Sequence, residues 1–124
     1  MIILWVRNFI FEGGSILEAI VPDQIIMGLI LHSGNAKQHM YEALKRSKKR
    51  DFEESAKEIL LAEEALTEAH NMQTSFLAEE AKGNKTEITA LFVHAQDHLM
   101  TTITEIALIK EIIELREESI NEIN

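Results

Sequence analysis

Two histidines, an aspartate and a glutamine lie within one five-residue segment, at His94, Gln96, Asp97 and His98. The segment opens a long stretch with the apolar periodicity of a helix, on which the two histidines lie one turn apart with Asp97 beside both. A neutral imidazole there is a competent nucleophile toward phosphorus, and the positive N-terminal end of a helix favours a nearby phosphoryl group. His94 is therefore a candidate nucleophile, and His98 and Gln96 are candidates to orient it or to bind phosphoryl oxygens.

Other interpretations of the same residues stay open at this point. A histidine at the edge of a core is most often a packed, hydrogen-bonded residue. His94 and His98 could bind zinc, since a one-turn spacing allows it, although Ala95 stands where the His-Glu-x-x-His motif of zinc proteases has its glutamate. Asp97 could be a solvated helix residue. The spacing alone is a weak signal for catalysis.

The composition bounds the fold class and excludes several functions. A chain of 124 residues is one domain with room for a core, and the absence of cysteine excludes disulfides, thiolate zinc sites and cysteine nucleophiles. With 21 acidic and 12 basic residues the formal net charge is −9, which argues against a nucleic-acid binder. Abundant Ala, Leu, Ile, Glu and Lys with few aromatic residues predict an all-α domain.

Residues 1–22 are expected to be an N-terminal extension. The apolar segment Met1–Phe11 is too short to span a bilayer and lacks the leading positive charge and cleavage site of a secretory signal. One interpretation is a strand-like or disordered extension. The other is that it is not part of the natural product, because Glu12-Gly13-Gly14 is what a purine-rich ribosome-binding tract would encode and Leu17 could be an alternative start.

The first helix is predicted to begin after Pro22, with Asp23 as its N-cap. Gly28 and Gly34 weaken it locally and suit the close approach of a neighbouring helix. It closes on the basic run Lys45–Arg50, which either interacts favourably with the helix C-terminus or forms a docking rim for an acidic partner.

The second helix is predicted to follow a capping box at Asp51–Glu54 and to stop near Lys82, where Gly83-Asn84 is a C-cap signal. Thr86 or Thr89 can cap a third helix that continues past Leu115.

Three helices joined by short turns predict an antiparallel up-down-up bundle over residues 23–118, with a frayed C-terminus at residues 119–124. The third helix is apolar on two sides, and a helix of that kind usually buries both. The core stripe contains Leu91, Ala95, Leu99, Thr102, Ile106, Ile109 and Ile113. The second stripe contains Thr101, Leu108, Ile112 and Leu115, with Asp97 at its head. The second stripe predicts self-association through helix three, with Asp97 near the subunit contact.

The segment from Leu91 to Thr102, Leu-Phe-Val-His-Ala-Gln-Asp-His-Leu-Met-Thr-Thr, resembles the signature of the A component (enzyme IIA) of lactose/cellobiose-type sugar phosphotransferase systems. The similarity covers roughly residues 24–115. It extends through the segments Leu31–Lys37, Glu42–Leu44, Asp51-Phe52, Glu68–His70 and Gln73-Thr74.

The resemblance implies a cytoplasmic homotrimer of three-helix protomers. It implies that His94 accepts a phosphoryl group from the histidine phosphocarrier protein and hands it to a cysteine of the IIB component, with His98 and Gln96 in support. It also implies that Asp97 meets its two symmetry mates and binds one shared Mg²⁺ at the trimer axis. Three converging carboxylates would repel one another without a cation. Mg²⁺ prefers oxygen ligands and would offset this repulsion.

In such a system the sugar is a β-linked disaccharide of the cellobiose, lactose or chitobiose type, and membrane contact is indirect, through the IIC transporter. Lys49-Arg50 depart from the family pattern, since relatives often have a glycine in this turn, and Glu105 and Ile106 replace more polar residues. The alternative from another class is a non-catalytic oligomeric helical adaptor whose histidines bind metal.

Overall fold

The computed structural model of the protein describes residues 16–85 and 87–123, and side chains from residue 23 onward. These residues form three helices, α1 (Ile16–Lys48), α2 (Phe52–Ala81) and α3 (Ala90–Ile123), with no strand among them. The short turns make consecutive helices antiparallel, and α1 packs extensively against both of the others. The predicted all-α, up-down-up bundle is confirmed. Within the described ranges, no helix has the length and apolar character needed to cross a membrane.

The N-terminal part of α1 differs from the prediction. The helix begins at Ile16, so that Pro22 and Asp23 lie inside it and Asp23 is not its N-cap. The later start was predicted because proline prefers the first helical turn. An internal proline removes one backbone hydrogen bond, and α1 nevertheless continues on both sides of Pro22. Positions 1–15 lie outside the described residues, so the two interpretations of the N-terminal extension stay predictions.

The turn between α1 and α2 is closed by two backbone hydrogen bonds at the end of α1. Arg50 N–H donates to the Ser47 carbonyl at 3.1 Å, and Asp51 N–H donates to the Arg46 carbonyl at 3.0 Å. This is the pattern of a Schellman motif, which requires a left-handed residue and usually has glycine there. Arg50 occupies that position with φ +62°.

The predicted capping box of α2 is half formed. The Asp51 carboxylate accepts the Glu54 N–H at 3.3 Å, which confirms Asp51 as the N-cap. The Glu54 carboxylate contacts Lys57 at 2.6 Å and does not return to the Asp51 N–H, because the Arg46 carbonyl at the end of α1 already accepts that group. The tight α1–α2 turn therefore replaces one of the two predicted bonds.

The second turn follows the sequence signals closely. Gly83 has φ +92°, its N–H donates to the Glu80 carbonyl at 3.0 Å, and Asn84 N–H donates to the Glu79 carbonyl at 3.0 Å. Thr89 caps α3, because its hydroxyl accepts the Phe92 N–H at 3.1 Å. The other candidate cap, Thr86, lies outside the described residues.

The helices enclose two apolar clusters joined end to end, and small residues on α2 let the neighbouring helices come close. One cluster contains Ala36, Met40, Ala43, Ala62, Ile106, Ile109 and Ile113. The other contains Ile26, Leu29, Ala69, Phe76, Ala95 and Leu99. All of the predicted core stripe of α3 is buried except Leu91, which lies in the first turn and is 44% exposed. The helix continues to Ile123, and the fraying of residues 119–124 stays a prediction.

Gly28 confirms the predicted close approach of a neighbouring helix. A Cβ atom there would lie 2.6 Å from the Sδ atom of Met72 on α2, which is closer than carbon and sulfur tolerate. Gly34 differs, since its nearest neighbour would be the Nε2 atom of His98 at an ordinary 3.7 Å. That contact brings α1 directly to the candidate site.

Candidate functional site

His94 and His98 lie side by side near the N-terminal end of α3. Their ring centroids are 6.1 Å apart and the ring planes differ by 11°, so the two imidazoles face each other across one helical turn. His94 is exposed and His98 is half-buried. His94 is the fifth residue of α3, at the edge of the first turn within which the positive helix end acts most strongly. The pair therefore combines one accessible imidazole with one that is partly covered by the protein.

His98 lies against α1. Its Nε2 atom would lie 3.7 Å from a Cβ atom at Gly34, an ordinary contact distance. The hydroxyl of Thr102 donates to the His98 backbone carbonyl at 2.6 Å. His98 therefore lies at the contact between α1 and α3, beside the exposed His94.

The charge state of His98 follows from its surroundings. Burial lowers the pKa of His98 most, the Lys37 ammonium and His94 lower it further, and the Glu105 carboxylate opposes them. Lys37 on α1 and Glu105 on α3 form an ion pair at 3.2 Å, which holds both groups at this interface. His98 is therefore a neutral imidazole near pH 7.

Gln96 does not face His94 within one chain. Two residues along a helix correspond to a rotation of about 200°, which directs Gln96 toward α2. There the Gln73 side-chain amide donates to the Gln96 side-chain oxygen at 2.7 Å and approaches the Met100 sulfur at 3.7 Å. The supporting role predicted for Gln96 therefore finds no contact with His94 inside the protomer.

Asp97 is exposed, and so is the rest of the second stripe. Leu108 is 59% exposed, Ile112 41% and Leu115 63%, so no other part of the described chain covers this face. In the described ranges no group of three or more His, Asp or Glu side chains is arranged to hold a metal ion. One protomer thus offers a single carboxylate, Asp97, at the head of an uncovered apolar face.

Gly34, Lys37, Glu105 and Gln73 were not assigned to the site from the sequence. Three of them lie in, or next to, segments that resemble the family, but no spacing along the chain connects Lys37 with His98 or Gln73 with Gln96. Only the packing of α1 and α2 against α3 brings these residues together.

The sequence model of the family described as "PTS system, Lactose/Cellobiose specific IIA subunit" matches residues 24–117. The chain is 47% identical over 96 residues to the lichenan-specific phosphotransferase enzyme IIA component of Bacillus subtilis, covering 77% of this chain and 87% of that protein. The chain therefore belongs to the lactose/cellobiose-specific IIA family, as the resemblance implied. It is a phosphotransferase component of a sugar phosphotransferase system.

Two solved structures support this assignment at the level of the fold. The cellobiose-specific enzyme IIA of Bacillus anthracis has a TM-score of 0.75 and 45% identity, over 77% of this chain and 87% of that one. The IIA(Chitobiose) protein of the Escherichia coli N,N'-diacetylchitobiose branch, solved as a complex with HPr, has a TM-score of 0.67 and 40% identity, over 77% of this chain and 93% of that one.

Proposed function

We propose that the protein carries a phosphoryl group on His94, received from the histidine phosphocarrier protein and passed to a cysteine of the IIB component. The observation that carries this proposal is the exposed His94 imidazole facing a half-buried, neutral His98 one turn away. A phosphoryl acceptor must expose a nitrogen lone pair to a partner protein while its ring stays oriented. His94 meets the first requirement, and the nearly parallel His98 ring, with its centroid 6.1 Å away, supports the second.

Both transfers, from the donor to His94 and from His94 to the IIB cysteine, are displacements at phosphorus. The Nε2 lone pair of His94 attacks in line, the bond between phosphorus and the donor imidazole nitrogen breaks, and that nitrogen keeps the electron pair. In the second step a cysteine thiolate of IIB attacks the same phosphorus and the bond to His94 Nε2 breaks. His98 stays neutral and presents its ring beside the reacting imidazole, so it adds no second positive charge to His94.

The donor and the sugar class follow from the relatives. The Escherichia coli relative was solved in complex with HPr, the histidine phosphocarrier protein, which supports the same donor here. Relatives named for lichenan, cellobiose and N,N'-diacetylchitobiose support a β-linked disaccharide as the transported sugar. The reaction would take place in the cytoplasm, beside an IIC transporter that handles the sugar.

The second stripe supports a homotrimer with α3 around the axis. Three copies would cover the exposed Leu108, Ile112 and Leu115 side chains and bring three Asp97 carboxylates together. Carboxylate oxygens are ligands that Mg²⁺ prefers, so one shared ion fits this donor set, and it would neutralise charge at the subunit contact. Each chain would contribute one ligand, the exposed Asp97 carboxylate.

Phosphorylation in a reconstituted system tests the site. The chain is incubated with phosphoenolpyruvate, the phosphocarrier protein and its kinase, and the intact mass is measured. We expect an acid-labile gain of one phosphoryl group in the wild type, no gain in His94→Ala, and a gain slower by roughly 10- to 100-fold in His98→Ala. His70→Ala, which removes an exposed histidine on α2, is the matched control and should behave as the wild type.

Two outcomes would contradict the proposal. A gain that persists in His94→Ala and disappears in His98→Ala would move the acceptor to His98. No gain in the wild type would favour the oligomeric adaptor as the function of the chain.

A further inference from the structure

The C-terminal half of α3 combines an exposed apolar row with a basic groove. Ile112 and Leu115, the last apolar residues of the second stripe, line a groove between α3 and the end of α1. Lys48, Arg50 and Arg116 line the same groove. A partner complementary to this surface would be apolar where it contacts Ile112 and Leu115 and acidic where it contacts the three cations.

Arg116 is the best-positioned of these cations. Its Nη1 atom donates to the Ser47 hydroxyl at 2.9 Å and to the Leu44 carbonyl at 3.3 Å, both on α1. These bonds hold the half-buried guanidinium in one place but supply no negative charge, and no described carboxylate lies within ion-pair distance of it. The remaining guanidinium N–H groups can still receive a carboxylate in a forked geometry.

Glu111 lies on the other edge of the same apolar row. It precedes Ile112 by one residue, as Arg116 follows Leu115 by one, and it is exposed without an ion pair in the described chain. On a straight helix at about 100° per residue, Glu111 and Arg116 lie about 70° to either side of the middle of the Ile112–Leu115 row. In these turns they flank the row as g and e residues flank an a/d pair. When parallel helices pack around a common axis, a g residue of one helix faces the e residue five positions further along its neighbour. Five residues separate Glu111 from Arg116.

We propose that Glu111 of each copy forms an ion pair with Arg116 of the neighbouring copy, and that the occupant of the basic groove is a second copy of this chain. The inference rests on the proposed assembly around α3 and specifies what fixes its register. The face is complementary to itself, with an acidic edge, an apolar centre and a basic edge in the order that cyclic symmetry requires. A separate acidic partner would meet the exposed carboxylates of Glu111 and Glu118 on that face, which oppose its approach.

Charge reversal tests the pair on the full-length chain by sedimentation equilibrium. Glu111→Arg places like charges together at every subunit contact, and we expect the protein concentration at half-dissociation to rise about tenfold. The double variant Glu111→Arg/Arg116→Glu should restore most of this loss, since the pair is rebuilt with its signs exchanged. Glu114→Arg is the matched control, because it makes the same charge change on an exposed position of α3 away from the second stripe.

Arg116→Glu also loses the bonds to α1, so circular dichroism must first show that the double variant is folded. If it is not, Glu111→Arg alone still decides, because added salt should weaken the wild-type assembly and should strengthen the Glu111→Arg assembly, whose like charges it screens. A trimer that Glu111→Arg leaves unchanged, or weakens no more than Glu114→Arg does, overturns the ion pair while the trimer itself stands. A wild-type monomer overturns both, whereas the phosphorylation of His94 is tested independently.

Discussion

The two ends of α3 hold their polar side chains in opposite ways. At the N-terminal end His94 and Asp97 are exposed, and His98 packs over Gly34, where α1 has no side chain. At the C-terminal end Arg116 is bound to the carbonyl and hydroxyl groups that end α1. One end leaves reactive groups accessible, while the other uses its polar group to hold two helices together.

This difference agrees with the function proposed for each end. A phosphoryl acceptor needs a free nitrogen lone pair, so satisfying it with an internal hydrogen bond would remove its reactivity. The C-terminal end of a helix carries a partial negative charge, so a cation placed there, as Arg116 is at the end of α1, stabilises the fold. The second stripe shows the same contrast, since it begins with a carboxylate at Asp97 and ends with Ile112 and Leu115.

The largest expected effect is on the dependence of assembly on Mg²⁺, and it comes from removing the difference between the two ends of the second stripe. Asp97→Leu replaces the carboxylate with the kind of side chain found at the other end, so assembly should no longer depend on Mg²⁺. For the wild type we expect removal of the ion by a chelator to raise the half-dissociation concentration at least about tenfold, because three carboxylates then repel one another. Sedimentation equilibrium with and without chelator measures both.

Asp97→Asn is the matched control for shape, and it should also lose the response to chelator. A wild-type trimer that is indifferent to the chelator would remove the ion from the proposal. The two ends of α3 would then differ only in how exposed their polar side chains are.

An intermediate effect is expected at the turn that carries the basic groove. Arg50→Gly relieves a left-handed backbone at φ +62° and should raise the free energy of unfolding by about 0.5–1 kcal/mol. Urea denaturation at fixed protein concentration measures it. Lys49→Gly makes the same change one residue earlier, at a position without a positive φ, and should lower stability. Equal effects of the two variants would mean that the strain at Arg50 is not what the glycine relieves.

The smallest effect concerns the pH dependence of the N-terminal end. The pKa of His98 is lowered below its ordinary 6.5, chiefly by burial and then by Lys37 and His94. Between the lowered pKa and 6.5 the unfolded chain binds more protons than the folded one, so stability falls as the pH falls. This contribution is complete above pH 6.5 and is lost progressively below it.

We therefore expect His98→Gln to lose less stability than the wild type between about pH 7 and pH 5, as measured by urea denaturation across that range. His70→Gln, at an exposed position on α2, should follow the wild type. A steeper loss in His98→Gln would mean that protonation of His98 stabilises the fold, which contradicts its neutral state at the site.

Much of the fold could be predicted because its signals are local. Asp51, Gly83 and Thr89 mark helix ends through bonds that span only a few residues, and the structure shows all three. The start of α1 could not be placed correctly, since Pro22 is a strong local signal for a helix start and the helix runs through it. The second bond of the capping box was predicted wrongly, because the Asp51 N–H donates to the Arg46 carbonyl at the end of α1, a different helix.

The sequence by itself was enough to predict the three-helix fold and the family and to single out His94 as the candidate acceptor, because these depend on residue types at short spacings. Only the tertiary structure decided that His98 lies over Gly34 near the Lys37–Glu105 pair, and that Gln96 binds Gln73 instead of facing His94. The physical reason is that the charge state and orientation of a side chain depend on which helix packs against it. For the His94–His98 pair those neighbours come from a helix more than fifty residues earlier in the chain.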